Sequence, residues 1–339
     1  MTNLEAKQTI FSICHSSDIS AARRYGLHLS QSLGFTETAS GKLSLVITEA
    51  ATNMLKHAGE GQLFLTLVAS GGVNGIEILA LDKGPGISNL AHSFYDGVTT
   101  VGTAGNGLGA LRRLSDSFDA YSASGKGSAF YMCLWSGALK RSMNSLEIGT
   151  IAVPMPHEEV CGDGWAVVSN EKEVKFLLAD GLGHGPNAAQ ASTAAAQLLV
   201  KRPSMQPLAL MEALHSSLRG TRGAAVAVAE LHFKSEQIDF VGIGNISACV
   251  IDGLSRKQLV SHNGIVGHNM RKVQQFSIPC LPGSLYMMHS DGISTQWDLA
   301  SYPGLYFCHP ALIAGIVYRD FVRGRDDASI LAARYRLHS

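Results

Sequence analysis

Short glycine-rich loops constrain the fold of this chain more than any other feature of its sequence. The 339 residues include 36 glycines. An average protein of this length, with roughly 7% glycine, would have about 24. The glycines form no repeat, and many lie directly after a strand-like run or before a helix-like one. Because glycine has no Cβ, such loops allow another group to approach the backbone closely. We therefore expect several sites where a ligand or a neighbouring segment lies against main-chain atoms.

The charge balance excludes two classes of protein. Lysine and arginine number 27, aspartate and glutamate also number 27, and 46% of the residues are hydrophobic. Disordered chains combine low hydrophobicity with high net charge, and general nucleic-acid binders carry a basic excess. Neither description fits this composition, so we expect a folded protein with no nucleic-acid partner.

No segment has the pattern of a membrane span or a signal peptide. Charged residues or glycines interrupt the apolar runs before the roughly 18 residues that a spanning helix needs. The N-terminal sequence MTNLEAKQTI lacks a basic segment followed by an apolar one, which a signal peptide requires. Six cysteines are spread along the chain without a C-x-x-C pair, as is typical of reduced thiols. We expect a cytoplasmic protein with no membrane partner.

The apolar periodicity predicts an α+β protein of two domains. The elements predicted for the first domain are helices over 18–33, 41–57 and 108–117, a hairpin of strands 62–69 and 75–82, and strands over 118–122 and 128–135. The second half is rich in strand-like runs and contains a helical pair over 187–200 and 206–219. A stretch without periodicity separates the two halves. We predict one domain over 1–136, a linker over 137–147 and a second domain over 148–339.

One polar helix face stands out in the first domain. Glu49, Asn53 and His57 are spaced four residues apart, so they lie along one face of the predicted helix. A carboxylate and a carboxamide placed there can serve as a proton acceptor and a magnesium ligand. An exposed polar face without a ligand is the alternative interpretation.

Two glycine loops follow that helix. Asp82-Lys-Gly84-Pro-Gly86 ends a predicted strand, and Gly105-Asn-Gly107-Leu-Gly109 opens a predicted helix. An aspartate at a strand end can accept a hydrogen bond from an exocyclic amine. The free N–H groups of a helix N-terminus can bind phosphate. Taken singly, each loop is also compatible with a plain turn.

In order and spacing, these motifs resemble the N box, D-x-G-x-G and G-x-G-x-G motifs of the GHKL ATPase family, and Gly125-Lys-Gly127-Ser128 resembles its final glycine box. Residues 10–136 are most similar to the small serine/threonine switch kinases of that family (RsbT- and RsbW-like). The resemblance implies a GHKL (Bergerat) α/β sandwich that binds ATP and Mg²⁺. It implies that Asn53 holds Mg²⁺, that Glu49 orients or deprotonates the attacking hydroxyl, and that Asp82 binds the adenine amine. The pocket and lid residues that it implies are Gly84, Gly86, Thr103, Gly105, Gly107 and Gly109.

Aspartates beside glycines recur in the second half. The motifs are Asp163-Gly, Asp180-Gly181-Leu-Gly-His184-Gly, Ser290-Asp291-Gly and Asp326-Asp327-Ala-Ser329. Asp180 and Asp291 each end an apolar run. Carboxylates held at strand ends can converge on hard divalent cations, which activate water for phosphoryl chemistry. For any single Asp-Gly pair, an ordinary turn is the alternative.

The order of these motifs resembles that of the PPM-type metal-dependent serine/threonine phosphatases, in their SpoIIE/RsbX-like branch, over about 148–335. The resemblance implies a β-sandwich flanked by helices that holds two Mn²⁺ or Mg²⁺ ions. Asp180 would bridge both ions and is the implied catalytic residue of this domain. Glu49 is the implied catalytic residue of the kinase domain. The remaining implied metal ligands are the Gly181 carbonyl, Asp291, Asp326 and, directly or through water, Asp163. Asp327 is a weaker candidate ligand, and His184 is expected to pack its loop, with a role as proton donor as the alternative. Cys161 and Ser329 depart from the glycine and threonine usual in this family.

Together, the two resemblances imply a bifunctional regulator that phosphorylates and dephosphorylates serine or threonine of a partner. The implied partner is a STAS-domain antagonist in a partner-switching pathway, with a sigma factor as a further candidate. An alternative is an ATP-binding module that sequesters such a partner, fused to an active phosphatase. A phosphatase domain that serves only as a scaffold is disfavoured by the complete aspartate set. Homodimer formation stays open.

Overall fold

The computed structural model describes residues 2–5, 8–90, 92–94, 107–139, 144–253 and 255–337. The chain divides into two compact units. The first unit contains Lys7–Lys140 and Tyr302–Ile316. The second unit contains Met1–Ala6, Arg141–Ser301 and Val317–Ser339. Both units mix helices and strands, which confirms the predicted α+β class.

The secondary structure follows the predicted elements closely and adds others, both near the start of the chain and in the second half. The elements are β1 (Thr2–Glu5), β2 (Gln8–Ile13), α1 (Ser16–Ser32), α2 (Glu37–Ala58), β3 (Gly61–Ser70), β4 (Val73–Leu81), α3 (Gly107–Leu114), β5 (Ser117–Ser122), β6 (Ser128–Trp135), β7 (Asn144–Val153), β8 (Asp163–Ser169), β9 (Glu173–Gly181), α4 (Pro186–Lys201), α5 (Pro207–Ser217), β10 (Ala224–His232), β11 (Gln237–Ile243), β12 (Ser247–Asp252), β13 (Ser255–Leu259), β14 (Phe276–Pro279), β15 (Leu285–His289), α6 (Pro310–Phe321) and β16 (Ala328–Leu337).

The first unit contains an antiparallel sheet with the strand order β2-β3-β4-β6-β5. Leu63 and Leu65 of β3 and Ile76 and Ile78 of β4 share one core cluster with residues of α1 and α2. This alternation follows from the two-residue period of a strand. The two helices therefore cover one face of the sheet.

The opposite face of the same sheet is buried as well. Tyr131 is buried there, and the ring of His309 stacks on it with centroids 3.9 Å apart and planes 11° apart. A Cβ at Gly315 would lie 2.9 Å from side-chain atoms of both Leu79 and Leu81. Burial on both faces explains why the central strands are continuous apolar runs, since a one-sided sheet shows alternation.

The second unit is a sandwich of two antiparallel sheets. Their strand orders are β1-β8-β9-β10-β11-β14 and β13-β12-β15-β16-β7. Phe176 of β9 and Tyr286 of β15 have ring centroids 5.3 Å apart, so the two sheets face each other. Leu177 and Val226, on the other side of the first sheet, share a core cluster with α4 and α5. The predicted β-sandwich flanked by helices is thereby confirmed.

The compact units differ from the predicted domain limits in three places. Residues 2–5 pair with β8 and so belong to the second unit, whereas the prediction assigned them to the first. Strand β7 begins at Asn144, inside the predicted linker over 137–147. Tyr302–Ile316 groups with the first unit, although it lies within the predicted second domain. These differences arise from pairing between distant segments, which local periodicity does not encode.

Several elements have no counterpart in the predicted set. Strands β2 and β16 and helix α6 are the longest of them. Strand β16 pairs with both β15 and β7, and it begins directly after Asp327. Among the described residues, no helix combines the length and the apolarity that crossing a membrane would need.

Candidate active sites

Helix α2 carries the first candidate site on its partly exposed side. Its buried residues include Leu43, Val46, Ile47 and Ala50, which pack against the sheet. Glu49 and Asn53 lie beside that stripe and are half-buried, whereas His57 is exposed. The predicted polar face is therefore present. Other parts of the unit partly cover Glu49 and Asn53, whereas His57 faces solvent.

The first residue of α3 lies directly against Glu49. A Cβ at Gly107 would collide with Oε1 of Glu49 and would lie 3.3 Å from Nδ2 of Asn53. Among the described residues, the buried Nδ2 of Asn53 has no hydrogen-bond partner. A carboxylate, an unsatisfied amide and a helix N-terminus thus meet at one place. This set offers an acceptor for a hydroxyl proton and donors for a phosphate.

Asp82 is fixed at the end of β4 by backbone donors. The residue is 8% exposed, and its Oδ1 accepts hydrogen bonds from the Gly84 amide at 2.9 Å and the Ser128 amide at 3.1 Å. A Cβ at Gly84 would lie 2.7 Å from Cβ of Ala58, so the loop after β4 packs against the end of α2. Gly86 has φ +72° and lies against the Ala123 carbonyl.

Of the three remaining residues expected for the nucleotide pocket and lid, the structure describes one. Gly109 is buried in α3. Thr103 and Gly105 lie outside the described residues, so their predicted roles stay predictions.

Four aspartates approach one another in the second unit. Asp163 at the start of β8 is directly opposite Asp180 near the end of β9. Asp291 follows β15, and Asp326 precedes β16. Asp180, Asp291 and Asp326 line one open pocket of about 390 Å³. The predicted convergence of strand-end carboxylates therefore occurs in the structure.

Burial, together with the neighbouring carboxylates, raises the pKa of two of these carboxyl groups. Burial, followed by the charges of Asp163, Asp291, Asp326 and Asp327, raises the pKa of Asp180 to about 9. Burial also raises the pKa of Asp163 to about 7, although hydrogen bonds from Ser290 and Ser329 oppose the shift.

Carboxylates that repel each other in this way are stabilised in their ionised form by a nearby cation. Oxygen donors are also the ligands that Mg²⁺, and the similarly hard Mn²⁺, prefer. The donor set fits divalent metal ions.

Short polar side chains hold two of the aspartates. Oγ of Ser329 donates to Oδ2 of Asp163 at 2.7 Å, and the Ser329 amide donates to Oγ of Ser290 at 3.0 Å. Nδ2 of Asn245 donates to Oδ2 of Asp291 at 2.6 Å. Ser290 and Asn245 are missing from the residues predicted for this site. Their position beside strand-end aspartates and glycines is the signal that could have identified them.

Asp327 differs from its neighbour Asp326. Its Oδ1 accepts from the Met155 amide at 2.8 Å, and its Oδ2 accepts from the Gly162 amide at 2.9 Å. Both oxygens therefore hold the loop that precedes β8. This geometry agrees with the expectation that Asp327 is a weaker candidate ligand than Asp326.

His184, in the loop after β9, pairs with Glu158 of the loop that precedes β8. Its Nδ1 lies 2.6 Å from Oε1 of Glu158, and its side chain is half exposed. The expected loop-packing role accounts for these contacts. Gly181, the other predicted ligand of this loop, ends β9 in contact with α4, since a Cβ there would collide with the Ala188 carbonyl.

Comparison with protein families finds two matches along the chain. The family described as histidine kinase-like ATPase domain matches residues 16–134. The family described as Stage II sporulation protein E (SpoIIE) matches residues 170–336. The second match includes Asp180, Asp291 and Asp326 and begins after Asp163.

Two curated proteins of Bacillus subtilis (strain 168) resemble the two halves separately. The serine/threonine-protein kinase RsbT is 36% identical over 118 residues, which are 35% of this chain and 89% of that protein. The phosphoserine phosphatase RsbX is 23% identical over 147 residues, which are 43% of this chain and 73% of that protein.

Several solved structures also resemble this chain. A chain from the structure titled "The bacterial stressosome: a modular system that has been adapted to control secondary messenger signaling" has a TM-score of 0.53 and 25% identity, and the match covers 56% of this chain and all of that one. RsbX in complex with magnesium has a TM-score of 0.50 and 18% identity, with coverage of 58% and 98%.

The PP2C phosphatase domain of SpoIIE from Bacillus subtilis, with a fragment of its regulatory domain, has a TM-score of 0.50 and 15% identity, with coverage of 96% of both chains. At their low identity, the RsbX and SpoIIE structures support the fold alone. The RsbT match, in contrast, is strong in identity and nearly complete in length. Through its N-terminal half the chain belongs to the RsbT-like family of kinases with a histidine kinase-like ATPase domain, and this half is joined to a domain that resembles the SpoIIE/PP2C-like phosphatases.

Proposed function

We propose that the chain is a bifunctional enzyme that phosphorylates and dephosphorylates serine or threonine residues of a partner protein. The observation that carries the proposal is the convergence of Asp163, Asp180, Asp291 and Asp326 in one unit. The contact of Gly107 with Glu49 in the other unit supports the kinase half. The likeness to a kinase and to a phosphatase, each along its own half, agrees with both activities.

In the phosphatase half, two Mn²⁺ or Mg²⁺ ions would be held by Asp180, the Gly181 carbonyl, Asp291 and Asp326, with Asp163 acting directly or through water. Such ions supply a nucleophilic hydroxide near neutral pH and compensate phosphate charge. Ser329 and Asn245 keep the carboxylates of Asp163 and Asp291 in position. In the net reaction, water forms a bond to phosphorus, the bond to the serine oxygen breaks, and that oxygen takes a proton.

In the kinase half, Asn53 would hold Mg²⁺ beside the ATP phosphates. Glu49 would take the proton of the attacking hydroxyl. The oxygen of that hydroxyl would bond to the γ-phosphorus as the bond to ADP breaks. The backbone N–H groups at the start of α3, near Gly107 and Gly109, would bind phosphate oxygens. Asp82, fixed by two amides, would accept a hydrogen bond from the adenine amine. Gly84 and Gly86 would shape the adenine pocket, and Thr103 and Gly105 the lid.

The kind of partner that we propose is a STAS-domain antagonist in the cytoplasm, within a partner-switching pathway that controls a sigma factor or another output. The likeness to RsbT and RsbX supports this class. Two opposed activities in one chain raise each other's effective concentration near a shared target. Neither a nucleic acid nor a membrane is part of the proposal.

Phosphate transfer to a purified STAS protein, followed by mass spectrometry, tests both halves. With Mg-ATP and the Asp180→Asn variant, we expect a gain of phosphate on serine or threonine. With Mn²⁺ and the wild-type chain, we expect that phosphate to be released. Absence of both reactions would refute the proposal.

The Asn53→Ala variant distinguishes catalysis from sequestration. If the N-terminal half is a kinase, this variant transfers no phosphate. If that half only binds the partner and uses ATP to hold a conformation, wild type and variant both bind the STAS protein and neither phosphorylates it. A pull-down beside the transfer assay separates the two outcomes.

A further inference from the structure

Arg222 lies in the turn that precedes β10, beside the loop that follows Asp180. The Leu182 amide donates to the Gly223 carbonyl at 3.0 Å, which ties the two segments together. A Cβ at Gly183 would lie 3.1 Å from Nη1 of Arg222. The guanidinium group therefore lies over Gly183.

Gly183 belongs to the wall of the aspartate pocket. The same pocket is lined by Asp180, Asp291 and Asp326. Gly183 has φ +89° and no side chain, and this leaves the space that the guanidinium group occupies. A positive charge thus stands beside a pocket that acidic groups line.

Arg222 makes no ion pair with any residue that the structure describes. The side chain is exposed, and no ion pair or hydrogen bond joins it to another residue in the part of the chain that the structure describes. An arginine that supported the fold would be expected to pair with a carboxylate or a carbonyl group. Arg222 is instead available to a group that enters the pocket.

We propose that Arg222 binds the phosphoryl oxygens of the phosphoserine or phosphothreonine substrate at this pocket. This inference rests on the proposed phosphatase function and adds a substrate-binding residue to it. The guanidinium group is planar, always charged, and able to donate two parallel hydrogen bonds to a phosphate. The chain has no net positive charge, so a single well-placed cation matters for the capture of a phosphorylated group.

The test compares Arg222→Ala and Arg222→Lys with the matched control Arg219→Ala, an exposed arginine three positions earlier. The substrates are a phosphoserine peptide and p-nitrophenyl phosphate, both with Mn²⁺. We expect Arg222→Ala to raise KM for both substrates about tenfold to a hundredfold, as the loss of a charge-assisted hydrogen-bonded pair implies. Arg222→Lys should give an intermediate KM, and Arg219→Ala should be close to wild type.

Two outcomes of the kinetic comparison would overturn the inference. Unchanged KM values for both substrates would show that Arg222 contacts neither. A rise in KM for the peptide alone would show that it binds another part of the peptide. The midpoint of thermal unfolding and the Mn²⁺ concentration for half-maximal activity should stay unchanged, which excludes a folding or metal-binding cause.

Phosphate binding to the full chain separates this inference from the proposed function. Calorimetric titration of inorganic phosphate into the Mn²⁺-loaded protein needs no turnover. If the Arg222→Ala variant binds phosphate more weakly than the Arg219→Ala variant, the inference is supported even if the wild-type chain hydrolyses no substrate. Equal binding to both variants, or no binding to wild type, contradicts it.

Discussion

Nδ2 of Asn245 donates a hydrogen bond of 2.6 Å to Oδ2 of Asp291. Asn245 comes from the turn between β11 and β12, and Asp291 follows β15. The amide thus fixes the orientation of a carboxylate that we propose as a metal ligand. Partners of this kind position the ligand and tune its affinity for the metal.

Asn245→Ala should therefore weaken metal binding without removing a ligand. We expect the Mn²⁺ concentration for half-maximal phosphatase activity to rise about tenfold or more, as is usual for loss of such a partner. Asn263→Ala is the matched control, because Asn263 lines the same pocket and makes no hydrogen bond to a described aspartate. An equal metal requirement in both variants would contradict the proposed role.

Asp180→Asn should abolish Mn²⁺-dependent phosphatase activity while making the metal-free protein more stable. Burial and the neighbouring carboxylates raise the pKa of Asp180 to about 9. The folded state therefore favours a neutral group at neutral pH, whereas the unfolded chain carries the ionised one. A neutral isostere removes this cost, so the unfolding midpoint in EDTA should rise by about a few degrees. A phosphatase assay with Mn²⁺ measures the loss of activity, and differential scanning calorimetry in EDTA measures the unfolding midpoint. A lower midpoint than that of wild type in EDTA would contradict the prediction.

Asp327→Asn should act on stability rather than on metal binding. Both carboxylate oxygens of Asp327 accept backbone N–H groups, and an asparagine can replace only one of these acceptors. We expect the free energy of unfolding to fall by about 1–3 kcal/mol. Urea unfolding measures this loss, and Asp326→Asn is the comparison that should change metal affinity instead. A variant of Asp327 that keeps its stability and loses Mn²⁺ affinity would reverse the assignment.

Gly107→Ala should impair the kinase half. The added methyl would collide with Oε1 of Glu49, so α3 would have to move away from α2. We expect ATP affinity and phosphate transfer to fall about tenfold or more, because a misplaced catalytic group is costly. Gly41→Ala is the control, since its added methyl meets no atom within 4 Å, and in an exposed part of α2 it should stabilise the protein by about 0.5–1 kcal/mol. ATP titration measures the affinity of both variants for ATP, and urea unfolding measures their stability. Normal ATP binding by Gly107→Ala would contradict the proposed pocket.

Glu77 should make the stability of the first unit depend on pH. Burial raises the pKa of Glu77 to about 7, although the hydrogen bond from the Tyr131 hydroxyl, 2.8 Å long, opposes the shift. The folded state thus holds a proton that the unfolded chain loses near its ordinary pKa of 4.5. The stabilising effect of that proton is complete below pH 4.5 and is lost as the pH rises to about 7.

Comparison with Glu77→Gln isolates this contribution from other titrating groups. The difference in unfolding free energy between variant and wild type should grow with pH from about 4.5 to 7, by up to about 3 kcal/mol in favour of the variant. Urea unfolding of the full chain at several pH values measures it. A difference that does not change with pH would show that Glu77 titrates normally in the folded protein.

The sequence by itself determined those features that depend on local spacing. The helix face of Glu49 and Asn53 follows from a period of 3.6 residues, and the hairpin of β3 and β4 follows from two apolar runs around a glycine turn. Asp180 and Asp291 could likewise be recognised, because each follows an apolar run and precedes a glycine. Each of these signals is contained within about twenty residues, so the chain order preserves it.

Only the tertiary structure decided which of these groups meet and which of their atoms are in use. Asp326 and Asp327 are adjacent and chemically identical in the sequence, yet Asp327 is committed to two backbone amides from more than 160 residues away. Arg222 stands over Gly183 because β9 and β10 pair up to Gly181 and Ala224, and a backbone hydrogen bond joins the segments just beyond that pair. Tyr302–Ile316 joins the first unit, since that unit's sheet is apolar on both faces and needs both faces covered. Contacts of this range arise from the folding of the whole chain, and no local period records them.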